Sequence, residues 1–342
     1  MTNCLNPTLP GVTASLKYPL RGLREACLIL LVVLLTWPEA SWAGPLQRDE
    51  VAADAKWLLH FDYDQFKNTA VGKFLEEKLI KPRINKLEEQ IGSAIAKPLE
   101  GIGSITVYGS DYSATDDSCG VLLIKANEKT ITTVKQILES QSQPRGKNQI
   151  PLVRPAANGT DLFYAINDEI YLSLQKEGAI IVSKSPVRVD AARRVLENKA
   201  ANLNNNDTFT DYPPVENAFV LLAIAEGFNQ DATIPPQARF LKMAEGGRLV
   251  LGEASKNVFI DLALRGRDNE VSQQIQQIIQ GMLALFAFTQ SDNEERMWIA
   301  KAAKVANVGR FVFFNMKLPT KRAIDEIAAK TEITDDSTPR SD

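Results

Sequence analysis

One short segment near residue 60 places three residues capable of acid–base chemistry at alternate positions. The single histidine of the chain, His60, is followed two and four residues later by Asp62 and Asp64. Because side chains alternate between the two faces of a β-strand, an extended segment would present all three on one face. An imidazole flanked by two carboxylates could hold a divalent metal ion or transfer a proton. This pattern suggests one hypothesis, a metal-dependent hydrolase centred on these residues.

Three features of the sequence favour a structural role for the same residues. An antiparallel sheet that is covered on one face needs polar residues on the other face in any case. Asp64 precedes a helical pattern and is well placed to cap that helix. The corresponding stretch later in the chain, Leu221–Glu226, has no histidine and only one acid. We therefore predict no catalytic, cofactor-binding or metal-binding residue and no cofactor, and we keep His60, Asp62 and Asp64 as the alternative candidates.

Other catalytic signatures are missing from the sequence. A single histidine excludes two-histidine zinc motifs. The phosphate-binding loop, the Gly-x-Ser-x-Gly nucleophile elbow and the Cys-x-x-Cys pair are all absent. Cys119 opens the apolar run Gly120–Ile124, a position typical of a buried packing residue rather than a reactive thiol. The sequence thus favours a protein without enzymatic activity.

The N-terminal residues have the pattern of an export signal. Three basic residues precede the uncharged apolar run Ala26–Leu35, and the small residues Ser41 and Ala43 stand where a signal peptidase would cleave. The apolar run is too short to span a bilayer, which takes roughly 20 residues. We predict a signal peptide at residues 1–43 and a mature protein outside the cytoplasm, periplasmic or extracellular, with no stable membrane span. A membrane-tethered domain is the alternative if the signal stays uncleaved.

The charge balance narrows the range of partners. Without residues 1–43 the chain loses three of its 39 basic and two of its 42 acidic residues, which leaves a net charge of −4. Such a chain has no electrostatic basis for binding nucleic acid or anionic lipid. The partner we expect is another protein or an apolar small molecule.

Beyond the signal, the order of predicted elements is read twice. Each half has the order strand, helix, hairpin, helix, strand and helix. Gly103 and Gly109 match Gly246 and Gly252 at an offset of 143 residues. After the hairpin turn the offset becomes 141, where the helix stripe of Val134, Ile137 and Leu138 falls on Ile275, Ile278 and Ile279. The repeated order indicates an internal duplication.

A β-α-β-β-α-β order predicts an α+β protein of two tandem ferredoxin-like lobes, each with a mainly antiparallel sheet and its helices on one face. The boundaries that follow are a first lobe at 44–200, a linker at 201–217, a second lobe at 218–330 and a disordered tail at 331–342. The mature chain resembles exported bacterial proteins of unknown function that are built from a repeated α+β unit. The resemblance depends on the Trp57–Asp62 segment, the Gly103–Gly109 strand and Val305–Pro319. It implies an architecture and no site residues.

One apolar segment has two interpretations. Met282–Phe288 contains no polar residue and continues a helix with an apolar stripe. A helix that becomes apolar all round usually enters a core, so we predict burial, with docking against a partner or a membrane surface as the alternative. Together these observations predict a non-enzymatic exported envelope protein with a binding or scaffolding role.

Overall fold

A computed structural model describes residues 46–85, 101–112, 120–142, 153–155, 163–175, 177–215, 217–228, 236–289 and 294–335. The predicted signal peptide and Cys119 lie outside these residues. Twelve strands form one continuous antiparallel sheet. In chain order they are β1 (Trp57–Asp62), β2 (Ile102–Gly109), β3 (Gly120–Ala126), β4 (Val153–Pro155), β5 (Phe163–Ile166), β6 (Ile170–Gln175), β7 (Ala179–Ser183), β8 (Leu221–Glu226), β9 (Ala244–Ala254), β10 (Asn257–Gly266), β11 (Ala303–Val308) and β12 (Phe311–Pro319).

Seven α-helices accompany this sheet in the described part of the chain. They are α1 (Tyr63–Asn68), α2 (Ala70–Leu75), α3 (Glu128–Gln141), α4 (Pro186–Leu196), α5 (Asn269–Thr289), α6 (Glu294–Ala302) and α7 (Thr320–Asp335). A π-helical turn at Glu76–Ile80 follows α2, and residues 81–85 are helical after it. Pro82 therefore lies within a stretch that is helical without a break over residues 70–85, directly after the π-helical turn.

The two halves of the chain share a single sheet. Its strand order is β11-β12-β10-β9-β8-β1-β2-β3-β7-β6-β5-β4, and the first strand of each half, β1 and β8, pair with each other at the centre. The prediction of two separate lobes was wrong in this respect. Each strand has one wholly apolar face, with Trp57, Leu59 and Phe61 on β1, so neither is suited to a solvent-exposed sheet edge, and their pairing removes two such edges at once.

The ferredoxin-like strand order also needs correction. In that arrangement a helical crossover returns the chain parallel to the strand it left. Here β2 lies directly beside β1 and antiparallel to it, with Asp62 opposite Ser104. The helical connection therefore begins and ends at the same end of the sheet. The fold is a mixed helix-and-strand arrangement built on one large antiparallel sheet.

Helices cover both faces of the sheet, not one face as predicted. The Leu59 face, which also carries Phe61, packs against α1, α3 and α5 in two apolar clusters. The His60 face, which also carries Leu58, packs against α4 and the N-terminal residues in a third cluster. Strands with apolar residues on both faces bury more surface when both faces are covered.

The predicted linker is packed on the His60 face. Residues 201–215, which we call the strap, bury Leu203, Phe209 and Tyr212 in the apolar cluster of that face. The Arg48 guanidinium donates hydrogen bonds to the carbonyl oxygens of Leu203, at 2.6 Å, and of Thr208, at 3.0 Å. The strap is polar in composition, but its three large buried side chains hold it against the sheet.

The C-terminal boundary shifts as well. Helix α7 continues to Asp335, five residues into the segment predicted as a disordered tail. The remaining residues, 336–342, lie outside the described part of the chain. The boundary of the last structured element is therefore later than the polar composition indicated.

Candidate functional site

His60 is a buried residue of the core. Its side chain is 2% exposed, and its Nδ1 atom lies 2.9 Å from the Thr106 hydroxyl on the adjacent strand. The Phe219 ring meets the imidazole edge-on with its centroid 6.4 Å away. Burial lowers the pKa of His60 to about 4, because the charged imidazolium is poorly solvated there. The residue is therefore neutral at pH 7.

Asp62 and Asp64 have separate structural roles. Asp62 ends β1 and caps α1, where its Oδ1 atom accepts the Gln65 backbone N–H at 2.8 Å. Burial raises the pKa of Asp62. Asp64 belongs to α1 and pairs with Lys67 at 2.7 Å.

The structure thus removes Asp64 from the row that sequence alternation predicted, whereas His60 and Asp62 remain at alternate positions of β1. The strand ends at Asp62, so Asp64 follows helical geometry and leaves the face that His60 occupies. No group of three histidine, cysteine, aspartate or glutamate side chains within the described residues could hold a metal ion. The capping role comes from Asp62, two positions before the predicted residue.

A cluster of ionic residues, which the sequence did not reveal, joins the strap to the second half of the sheet. Arg265 of β10 pairs with Asp211 of the strap at 2.7 Å and with Glu226 of β8. Burial raises the pKa of Glu226, although Arg265 opposes this shift. Gly246 provides the space, because a Cβ atom there would lie 2.5 Å from the Tyr212 hydroxyl.

A second cation, on the neighbouring strand β9, also binds the strap. Arg248 of β9 is 5% exposed, donates a hydrogen bond to the Pro213 carbonyl oxygen and lies 3.7 Å from Asp261 of β10. Each cation in these clusters faces an acid or a carbonyl oxygen. The arrangement can therefore hold the strap in place, which is a structural task.

The apolar end of α5 is exposed. Ile275 and Ile279 are buried against the sheet, but the side chains that follow are not. The exposed fractions are 46% for Met282, 63% for Leu285 and 79% for Phe288. The prediction that Met282–Phe288 enters a core was wrong for most of the segment. Leu283 still packs, partly buried, against the sheet cluster, but no described residue after Ile279 is fully buried.

This end of α5 has no charge of its own. Between Glu270 and Asp292 the sequence contains no acidic or basic residue. Large exposed apolar residues that are contiguous on a surface mark interaction sites more often than single ones do. The end of α5 is therefore the strongest candidate for a functional surface in the described structure. Among the described helices, none has the length and apolar character needed to cross a membrane.

The fold and this surface define an α+β protein with one twelve-stranded antiparallel sheet and an exposed apolar helix end. No protein-family model matches the chain, and no curated protein does. Two solved structures of TP0453 from Treponema are similar to it. Crystal form III has 13% identity, a TM-score of 0.45 and coverage of 84% of this chain and 99% of its own. Crystal form I has 12% identity, a TM-score of 0.42 and coverage of 84% and 98%.

Proposed function

We propose that this chain is a non-enzymatic exported protein that binds or scaffolds an apolar partner through the end of α5. The observation that carries this proposal is the exposure of Met282, Leu285 and Phe288 on one uncharged helix end. Solvent exposure of such side chains costs on the order of 1.5–3 kcal/mol each relative to full burial. A partner that covers them recovers part of this free energy.

Export is part of the proposal. It is supported by the basic residues, the short apolar run and the small residues that precede Gly44. N-terminal sequencing of the exported chain should begin within a few residues of Gly44. A chain that keeps Arg21 in the membrane fraction would instead support the membrane-tethered alternative.

We also propose that the two halves arose by duplication. An offset of 141 residues relates the helix caps, because Asn127 accepts the Thr130 N–H and Asp268 accepts the Val271 N–H. The same offset does not carry over to the strands, since it would move Ile105 and Ile124 of the Leu59 face onto Gly246 and Arg265 of the His60 face.

A turn glycine gives further support to the duplication. Gly178 directly precedes β7 and Gly309 lies two residues before β12, and both have positive φ angles, of 78° and 59°. Only glycine adopts such angles at little cost. The order β1-β2-β3-β7-β6 in the first half parallels β8-β9-β10-β12-β11 in the second. A duplicated unit places equivalent surfaces in both halves, yet only α5 has the apolar extension.

The binding role can be tested with matched surface variants of the chain from Gly44 to Asp342. Immobilised wild-type protein should retain an envelope component that the variant carrying Leu285→Glu and Phe288→Glu does not retain. Val187→Glu is the control, because Val187 is an apolar residue of α4 that is 74% exposed and far from α5 in sequence. Equal retention by wild type and the double variant would refute a binding role for α5.

The enzymatic alternative depends on His60, Asp62 and Asp64, and the helical position of Asp64 weakens it. It has a simple test of its own. Stoichiometric metal in purified wild-type protein, lost in a variant carrying His60→Ala and Asp62→Ala, would bring the metal-dependent hydrolase back into consideration.

A further inference from the structure

We propose that the second half of the strap, residues 209–215, is attached by a pH-dependent contact and packs more firmly on the sheet when Glu226 is protonated. This proposal does not depend on the binding role of α5. It starts from a difference between the two halves of the strap, because the first half, residues 201–208, is attached by groups of another kind.

The first half of the strap is attached through groups that do not titrate in the relevant range. The Arg48 guanidinium donates hydrogen bonds to two of its carbonyl oxygens, and the Asn206 amide donates one to a backbone carbonyl oxygen at 2.7 Å. Both donors keep their charge between about pH 4 and 8. The second half instead carries Asp211, whose carboxylate pairs with Arg265 of β10 at 2.7 Å. A change of pH can therefore act on the second half and leave the first half in place.

Arg265 is shared between two acids, because it also pairs with Glu226 of β8. The Glu226 side chain meets the strap at Tyr212. A Cβ atom on Gly246 would lie 2.5 Å from the Tyr212 hydroxyl and 2.6 Å from Glu226 Oε2, so both groups lie above that glycine. The Oε1 atom of Glu226 is buried and has no hydrogen-bond partner among the described residues. A buried charged oxygen without a donor is unfavourable, and protonation of Glu226 removes this charge.

The surroundings of Glu226 favour its protonation. The charged and titratable groups that face it, or face its partner Asp211, are Asp211 and Tyr212 of the strap, Glu245 of β9, Arg265 of β10 and Arg310 of the turn between β11 and β12. Its backbone contacts the Lys56 carbonyl oxygen and the Tyr112 hydroxyl, and the Lys56 side chain is exposed. Burial raises the pKa of Glu226; Arg265 and the Tyr212 hydroxyl oppose this shift, and the two other acids add to it.

Opening of the second half would move Tyr212 away from Glu226 and let water reach the carboxylate. The pKa of Glu226 would then return towards its ordinary value of 4.5. The closed strap therefore binds a proton at a higher pH than the open strap does, so acid favours the closed form. The gain begins as the pH falls below the raised pKa and is complete below about 4.5. A neutral Glu226 also leaves the charge of Arg265 to Asp211 alone.

This contact controls the exposure of an apolar surface on the His60 face. Phe209 and Tyr212 are 8% and 7% exposed, and they belong to the cluster that also contains Leu222, Val250 and Ala263. When the second half of the strap leaves the sheet, these side chains of β8, β9 and β10 meet solvent. The apolar area exposed on this face should therefore be larger at neutral pH than in acid.

Hydrogen exchange measured by mass spectrometry tests the proposal on the chain from Gly44 to Asp342. Wild type and Glu226→Gln are compared at pH 7.5, 6 and 4.5, because glutamine copies the shape of a protonated carboxyl group. At each pH the ratio of the two exchange rates cancels the intrinsic rate and the other titrating groups, including His60. Peptides from residues 209–215 should exchange at least threefold faster in wild type at pH 7.5, and the ratio should approach one at pH 4.5.

Two controls accompany this comparison. Peptides from residues 201–208 should give a ratio near one at every pH, because their attachment does not titrate. Glu139→Gln, which changes an exposed acid of α3, should exchange as wild type does throughout the strap. Equal exchange of residues 209–215 in wild type and Glu226→Gln at pH 7.5, or slower exchange in wild type, would overturn the proposal.

Carbon-13 NMR of the Glu226 carboxyl gives a second measurement that needs only the wild-type protein to be folded. Its signal is identified by its absence in Glu226→Gln. A titration midpoint above 4.5 is expected, and a midpoint at or below 4.5 would overturn the proposal. The variant carrying Leu285→Glu and Phe288→Glu should show the wild-type exchange of the strap at each pH. Failure of the binding role of α5 is therefore distinguishable from failure of this proposal.

Discussion

The buried His60 makes the stability of this protein depend on pH in a way that a single substitution isolates. In the native state its imidazole is held beside Thr106 with a pKa of about 4, whereas the ordinary value is 6.5. The unfolded chain therefore binds a proton at His60 at a higher pH than the folded chain does. The stability that the neutral His60 contributes is fully present above about pH 7 and is lost as the pH falls from 6.5 towards 4.

The size of the effect follows from the two pKa values. Each pKa unit corresponds to about 1.4 kcal/mol, so the full loss below pH 4 is about 3 kcal/mol. Between pH 7 and pH 5 the loss is about 2 kcal/mol, because the unfolded histidine is then largely protonated and the folded one is not. This is a large share of the 5–15 kcal/mol that is typical of domain stability.

The assay compares wild type with His60→Gln by urea unfolding at pH 7, 6 and 5. Glutamine is neutral at each pH and can still form a hydrogen bond with Thr106. Other titrating groups, including Asp62 and Glu226 with their raised pKa values, are present in both proteins and cancel in the difference. The stability difference between the two proteins should change by about 2 kcal/mol from pH 7 to pH 5. Parallel pH profiles would refute the assignment of His60 as a buried neutral residue.

Two further predictions concern packing and the strap. Gly109→Ala should lower the free energy of unfolding by about 1–3 kcal/mol, because its Cβ atom would lie 2.5 Å from the Trp57 ring. Its cross-strand partner Gly120 has open space, so Gly120→Ala should change stability by less than about 0.5 kcal/mol, and equal effects in urea unfolding would contradict the packing described. Arg248→Met should cost about 2 kcal/mol and speed proteolysis of the strap, since it leaves Asp261 and the Pro213 carbonyl oxygen without their cation. The exposed Arg239→Met is the control, and a strap cleaved at the wild-type rate in Arg248→Met would contradict the clamp.

Much of the local structure could be predicted from the sequence. Alternation and turn residues located the β2–β3 hairpin, and the apolar stripe located α3. Strand order could not be predicted in the same way. A helical connection can return the chain parallel or antiparallel to the strand it left, and the pattern of apolar residues is the same in both cases. The expectation of a ferredoxin-like order therefore went further than periodicity supports.

The candidate site was harder to predict because its evidence lies in tertiary contacts. Alternation placed His60 and Asp64 on one face only under the assumption that the strand continues past Asp62. The exposure of Leu285 and Phe288 depends on where the packing of α5 ends, and an apolar run alone does not encode that position. The ionic cluster joins Asp211 and Arg265, which are 54 residues apart, so no local sequence motif indicates it.

The pairing of β1 with β8, which joins the two halves, explains why the strap crosses the sheet. A half-chain alone would end in β1 or β8, each with one wholly apolar face and unpaired on one side, and such an edge recruits other chains. Pairing β1 with β8 closes both edges, and the strap has to cross the His60 face to bring the chain back to β8. The outer edges are protected differently, by the short β4 with Arg154 and Pro155 and by β11 with Lys304. Charged and proline residues disfavour pairing at these edges, and the exposed helix end of α5 is the surface that we propose for a partner.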